Sequence, residues 1–206
     1  MKGEPYHAPQ KPFGGDEDYL WSPDSKSILY VSKKKSGTAY AISTNSDIYS
    51  YELASGKTTN LTEYNKGYDT SPSFSTKGKL AWLQMKRDGY ESDKNDIIVR
   101  VNGTDLNLTK DWDGTVNSYI WSNDGKKIFF VAPVLGTVQI FEIDVPKSSK
   151  KKVNSPRKIT DGQFDVHGII GQIEGKLAVT RRDMNHASEV YSVEISSGKM
   201  EQLSQL

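Results

Sequence analysis

A block of about 48 residues recurs four times along this chain, and nothing else limits the fold as strongly. Trp21-Ser-Pro-Asp-Ser-Lys-Ser-Ile28-Leu-Tyr30-Val31 returns as Trp121-Ser-Asn-Asp-Gly-Lys-Lys-Ile128-Phe-Phe130-Val131. Weaker copies are Phe74-Ser-Thr-Lys-Gly-Lys-Leu80-Ala-Trp82-Leu83 and Ile170-Gly-Gln-Ile-Glu-Gly-Lys-Leu177-Ala-Val179-Thr180. Each copy holds an apolar anchor, a polar turn and a short apolar strand. A second block follows at a steady distance. Asp47-Ile-Tyr-Ser-Tyr-Glu-Leu53-Ala-Ser-Gly56-Lys is matched by Glu189-Val-Tyr-Ser-Val-Glu-Ile195-Ser-Ser-Gly198-Lys, and fainter versions start at Asp96 and Gln139. Leu-Thr-like endings at Leu61, Leu108, Ile159 and Leu203 set spacings of 47, 51 and 44 residues.

Each repeat reads as four strands. In the first, one strand ends at Trp21 and the others cover 28–32, 47–53 and 58–62. Ser-Pro-Asp-Ser and Ser-Asn-Asp-Gly carry turn chemistry, and Ser-Gly-Lys at 55–57 and 197–199 marks hairpins. A single four-stranded sheet cannot bury both faces, so units of this size stack as β-propeller blades. The expected fold is all-β: a propeller segment of about four four-stranded antiparallel blades in an incomplete ring. A lead-in over 1–17 precedes blades near 18–65, 66–112, 113–163 and 164–206. Both ends read as connections, so the chain is expected to be an excerpt of a larger protein. Helix-period patterning is absent. A β-sandwich of irregular strands would leave the four aligned anchors unexplained. Trp21, Phe74 and Trp121, with Ile28, Leu80, Ile128 and Leu177, are expected to pack between blades.

Composition removes several functions. With 27 Lys and Arg against 26 Asp and Glu, the net charge of +1 makes no electrostatic case for nucleic acid or an anionic membrane. Mean hydropathy is −0.64, and no apolar run nears the ~20 residues of a membrane span. The absence of cysteine excludes disulfides, thiolate catalysis and Cys-based zinc sites, which leaves the redox compartment open. No Gly-x-Ser-x-Gly elbow occurs, and His7, His167 and His186 lie in different repeats or connections without a recognisable nucleophile. No catalytic residue, metal site or cofactor is expected on this chain. Asp111-Trp-Asp113-Gly114 lacks the ligands of a calcium loop and reads as the turn opening a blade.

Trp-Ser-Pro-Asp-(Gly/Ser)-Lys followed by Ile-x-Tyr, Asp-Ile-Tyr and Leu-Thr resembles the propeller repeat of the TolB and prolyl oligopeptidase group. Ala41–Tyr49 and Met85-Lys-Arg-Asp-Gly-Tyr-Glu-Ser-Asp-Lys-Asn95 are similar to dipeptidyl-peptidase and acylaminoacyl-peptidase members of the prolyl oligopeptidase family. The resemblance implies a non-catalytic propeller that gates a separate C-terminal α/β-hydrolase domain and takes oligopeptide substrates, with a homo-oligomer possible. It favours export to the periplasm, with a cytoplasmic location left open. Two other classes stand beside it: a TolB-like periplasmic interaction propeller, and a glycan-active propeller with carboxylates converging on its channel.

An aminopeptidase-like enzyme must neutralise its substrate's ammonium group. The Arg87-Asp-Gly-Tyr90-Glu91-Ser-Asp93 connection of the second blade offers the groups to do so. Glu91 or Asp93 would take the peptide N-terminus, with Arg87 and Tyr90 lining the pocket. The same residues would also suit a salt-bridged structural loop. The Lys33–Tyr40 and Lys147–Lys152 segments read as solvated basic tips, and Arg181–His186 as a polar connection at the blade position of Met85–Asp93.

Overall fold

The computed structural model describes residues 5–10 and 14–204. The first sheet holds β1 (Tyr19–Trp21), β2 (Ser27–Ser32), β3 (Asp47–Glu52) and β4 (Thr58–Asn60) in the order β1-β2-β3-β4. The second holds β5 (Asp69–Phe74), β6 (Leu80–Gln84), β7 (Asp96–Val101) and β8 (Thr104–Asn107), again in chain order. A third set comprises β9 (Ser118–Trp121), β10 (Lys127–Val134), β11 (Thr137–Asp144) and β12 (Arg157–Lys158). The fourth comprises β13 (Asp165–Ile173), β14 (Lys176–Arg182), β15 (Glu189–Glu194) and β16 (Met200–Gln202). Pairing within every set is antiparallel. Among the described residues, the strands of the third and fourth pair at one parallel position, Val138 with Asp165. The all-β, four-stranded blade architecture expected from the repeats is what the chain adopts.

The recurring Ser-x-Asp turn has a hydrogen-bond reason. Ser22 Oγ donates to Asp24 (2.6 Å), Asp24 accepts from the Lys26 amide (3.1 Å), and the Ser27 amide donates to Ser22 Oγ (2.9 Å). Ser122 and Asp124 repeat the pattern at 2.8, 3.0 and 2.9 Å. Two short polar side chains thus satisfy the corner amides that the strands leave unpaired.

The framework divides into two compact units, one up to Arg100 and one from Val101 on. In the first unit, Leu29, Val31 and Ile48 pack against Leu80, Trp82 and Ile98, flanked by Leu20, Leu61 and Phe74. In the second, Phe129, Val131, Ile140 and Ile159 pack against Val166, Leu177, Val179 and Val193. Burying such aliphatic and aromatic faces supplies the main folding drive, about 25 cal/mol per Å² of apolar surface. Leu80, Ile128 and Leu177 are buried as expected, while Ile28, Phe74 and Trp121 are half-buried. Trp21 departs from expectation at 59% exposed. On β1 the core-facing side chain is Leu20, and the strand's period of two turns the next residue to the opposite face.

Two further local readings change. Residues Gly37–Ile42 form a short helix, α1, whose single turn and a half is too brief to show a helical period in sequence. In the Lys33–Tyr40 segment, residues 36–39 are exposed as a tip, but its first two lysines turn back onto the fold. Lys33 Nζ donates to the carbonyls of Tyr40 (3.1 Å) and Ser43 (2.8 Å) at the end of α1. Lys34 Nζ reaches the Tyr30 hydroxyl (3.0 Å) and lies 4.1 Å from the Tyr49 ring centroid. The turn opening the third blade likewise contributes Trp112, which packs against Phe130 and Phe141 with centroids at 5.4 and 5.2 Å.

The twin Ser-Gly-Lys hairpins make a prediction. Gly56 and Gly198 both have positive φ, +69° and +74°. A Cβ on Gly56 would meet only the Tyr51 hydroxyl at 3.7 Å, whereas one on Gly198 would sit 2.1 Å from the Ile159 carbonyl oxygen. Gly56→Ala should therefore cost about 1–2 kcal/mol of left-handed strain alone. Gly198→Ala should cost at least about 3 kcal/mol, because backbone must move. Urea unfolding of the two variants checks this, and equal losses would contradict it.

Candidate functional site

The connection between β6 and β7 carries the four side chains singled out by sequence. Arg87 is the organiser. Its Nε and one terminal nitrogen donate to the two oxygens of Asp93 at 3.2 and 2.9 Å, and the Arg87 amide adds a third bond at 3.0 Å. The fork geometry of a guanidinium matches a carboxylate in this way. Those hydrogen bonds hold the Asp93 carboxyl down at about 2. The guanidinium carbon also lies 4.1 Å from the Tyr90 ring centroid. Arg87, Tyr90 and Asp93 are thus brought together as one stacked, ion-paired unit.

Glu91 is different. It is exposed, and among the described residues no hydrogen bond or ion pair holds its carboxylate. Its charge is nevertheless felt nearby. Burial lowers the proton affinity of Lys33, and the carboxylates of Asp88 and Glu91 oppose that shift. The Tyr68 phenol is pushed up by burial and by the charges of Asp18, Tyr40 and Glu91. Of the two carboxylates the sequence offered for an ammonium group, Asp93 already has its cation and Glu91 has none.

Asp88, which nothing in the sequence singles out, anchors the loop. Its Oδ1 accepts from Ser43 Oγ (2.7 Å) and from the amides of Thr44 (2.8 Å) and Asn45 (3.2 Å). The Gly89 amide donates to Thr44 Oγ1 at 2.9 Å. These partners lie more than forty positions back in the first blade, so no local pattern could reveal them. The Asp-Gly pair was the only available hint, since it marks a tight turn.

The corresponding connection of the fourth blade is built otherwise. Asp183 accepts from the Asn185 amide (2.9 Å) and contacts His186 Nδ1 (2.7 Å), while Arg181 lies over Phe164 and Tyr191. Elsewhere in the second unit, a cleft of about 550 Å³ is lined by Lys127, Phe129, Glu142, Arg157 and Lys176, among others. Burial would raise the Glu142 carboxyl, but Arg157 and Lys127, at 3.0 and 2.9 Å, outweigh it and hold it below its ordinary value. Glu142 is therefore neutralised within the fold.

No family model matches the chain. Its sequence is 45% identical over 168 residues to dipeptidyl-peptidase 5 of Porphyromonas gingivalis, covering 80% of this chain and 24% of that protein. The chain is similar to dipeptidyl-peptidase 5. The enzyme of the same name from Porphyromonas endodontalis is 41% identical over 202 residues, covering 96% of this chain and 28% of the relative. The chain thus spans about a quarter of the length of the curated relatives it matches. Among solved structures, the β-propeller domain of the trilobed protease from Pyrococcus furiosus superposes with a TM-score of 0.65 at 15% identity, covering 91% of this chain and 51% of that one. A putative TolB from Agrobacterium tumefaciens gives 0.63 at 21% identity, covering 90% and 63%. The structures agree on the propeller fold, and the dipeptidyl-peptidase 5 sequences bear out the resemblance carried by the repeats.

Proposed function

We propose that this chain is the propeller part of a dipeptidyl-peptidase, and that it gates a separate hydrolase active site while Glu91 holds the peptide N-terminus. Glu91 carries the reading: it is the exposed carboxylate of a loop whose neighbouring ion pair is already complete. The similarity to dipeptidyl-peptidase 5 supplies the reaction class. Recognition of a free amino terminus needs an anionic acceptor held beside a surface the peptide backbone can follow. Arg87 and Tyr90 furnish that surface. Asp93 serves the pocket through Arg87, whose guanidinium keeps three of its five N–H donors beyond the Asp93 pair.

A charge-assisted hydrogen bond contributes about 1.5–3 kcal/mol, and every 1.4 kcal/mol is tenfold in affinity. Glu91→Gln in the full-length protein should therefore raise KM for dipeptidyl substrates about 10–100-fold and leave kcat within a few-fold. Steady-state kinetics on peptides with free and acetylated N-termini provide the check. The variant should affect the free-amine peptide alone. An unchanged KM would reduce the loop to a structural salt bridge.

A further inference from the structure

We propose that Asp88 is the positioning residue of this site, fastening the Arg87–Asp93 loop to the first blade so that Glu91 is presented in one place. The proposal rests on the reading that Glu91 receives the peptide ammonium group.

The tether is short and multiple. Three bonds converge on one Asp88 oxygen, from Ser43 Oγ, Thr44 N and Asn45 N, at 2.7, 2.8 and 3.2 Å. Gly89 N adds a bond to Thr44 Oγ1 at 2.9 Å, and the Thr44 hydroxyl is 3.5 Å from the Arg87 carbonyl oxygen. Residues 87, 88 and 89 are thus each tied to the Ser43–Asn45 turn. That turn is itself fixed. Ser43 and Thr44 are buried, and the Ser43 carbonyl accepts from Lys33 Nζ at 2.8 Å. Asn45 Nδ2 donates to the carbonyls of Asn65 (3.4 Å) and Gly67 (3.2 Å). Beyond Asp88 and Gly89, the loop is held by the Arg87 contacts to Tyr90 and Asp93, which are internal to it. Without Asp88, the stacked Arg87-Tyr90-Asp93 unit and Glu91 could survive as a group yet lose their place on the blade. Ser43, followed by the Thr44 and Asn45 amides, also favours the charged carboxylate. The tether is therefore present throughout the neutral range.

A binding group that occupies its competent position only part of the time loses apparent affinity in proportion. Asp88→Ala in the full-length protein should raise KM for a free-amine dipeptidyl substrate at least about fivefold, with kcat unchanged. Asp88→Asn, which keeps an oxygen acceptor, should recover most of the loss. The Asp88→Ala/Glu91→Gln double variant should be no worse than Glu91→Gln alone. Amide hydrogen exchange over residues 87–93 should accelerate in Asp88→Ala. A residue that merely stabilised the fold would lower the active fraction, and so kcat, without moving KM. If Glu91→Gln raises KM and Asp88→Ala does not, the positioning role fails and the Glu91 site stands. If Glu91→Gln leaves KM unchanged, both fall. Unaltered exchange in Asp88→Ala would also overturn the positioning role.

Discussion

Replacing Trp82 by alanine should remove about 4–5 kcal/mol from the first unit, a large share of the stability of any single domain. The side chain is fully buried at the centre of the cluster formed by Leu29, Val31, Ile48, Leu80 and Ile98. Large-to-small changes at such sites lose both the transfer energy of the ring and the contacts around the cavity left behind. Trp82 also has a polar task. Its indole Nε1 donates to Asp69 Oδ1 at 3.0 Å, inside the unit. The guanidinium of Arg100 lies 5.4 Å from the ring while donating to the Leu61 carbonyl at 2.9 Å. Alanine would remove the filler, the donor and the cation's platform together. Trp82→Phe separates these contributions: it keeps most of the volume and should cost about 1–3 kcal/mol, chiefly for one lost donor to Asp69 Oδ1, which keeps its bond from Gln84. Urea titration combined with amide exchange on β2, β3 and β6 would measure both. A Trp82→Ala loss below about 2 kcal/mol would mean that the cluster re-forms around the gap.

The second large effect concerns acidity. Asp69 is fully buried, and burial pushes its carboxyl up to about 7 although Gln84, Asn65, Trp82 and Thr62 all donate to it. Because the folded value lies above the unfolded one, the native state keeps a proton that the unfolded chain releases. The stability of the first unit should then be highest near pH 4, fall as pH rises towards 7, and level off above it. At 1.36 kcal/mol per pH unit, the rise from 3.8 to about 7 amounts to about 4 kcal/mol. Asp18, raised to about 6 mainly by burial, adds a smaller slope of the same sign. Asp93 and Asp124, both held at about 2, titrate below this window. Asp69→Asn should abolish most of the slope between pH 4 and 7 and leave the Asp18 part. Trp82→Phe, by removing one donor to the carboxylate, should shift the slope to higher pH. Unfolding midpoints at pH 5 and pH 8 decide the matter, and a slope unchanged in Asp69→Asn would refute it.

The two effects meet in one network, which shows how far the sequence could be read. Asp69 binds Trp82 (3.0 Å), Gln84 (2.8 Å) and Asn65 (3.0 Å), and its amide donates to the Ser46 carbonyl at 3.1 Å. Trp82 is visible as a strand residue of a degraded repeat. Asp69 reads only as the start of another strand, because its partners come from three separate stretches of chain.

The same division runs through the candidate site. Strand number, turn positions and blade type follow from alternation and from Ser-x-Asp and Ser-Gly-Lys chemistry, all of which act within ten residues and so are written along the chain. Arg87, Tyr90 and Asp93 could be grouped for the same reason: they are close in sequence, and their mutual contacts are local. Tertiary structure settled three other things. It turned Trp21 outward, because the pleat gave the core to Leu20. It paired Asp93 with Arg87 and left Glu91 without such a cation, although both carboxylates look equivalent in sequence. It also made Asp88 the anchor, through partners 43–45 positions away. Local hydrogen bonds and side-chain periodicity depend on neighbours in the chain. The use to which a given charge is put depends on which distant groups the folded sheets bring within about 3 Å of it.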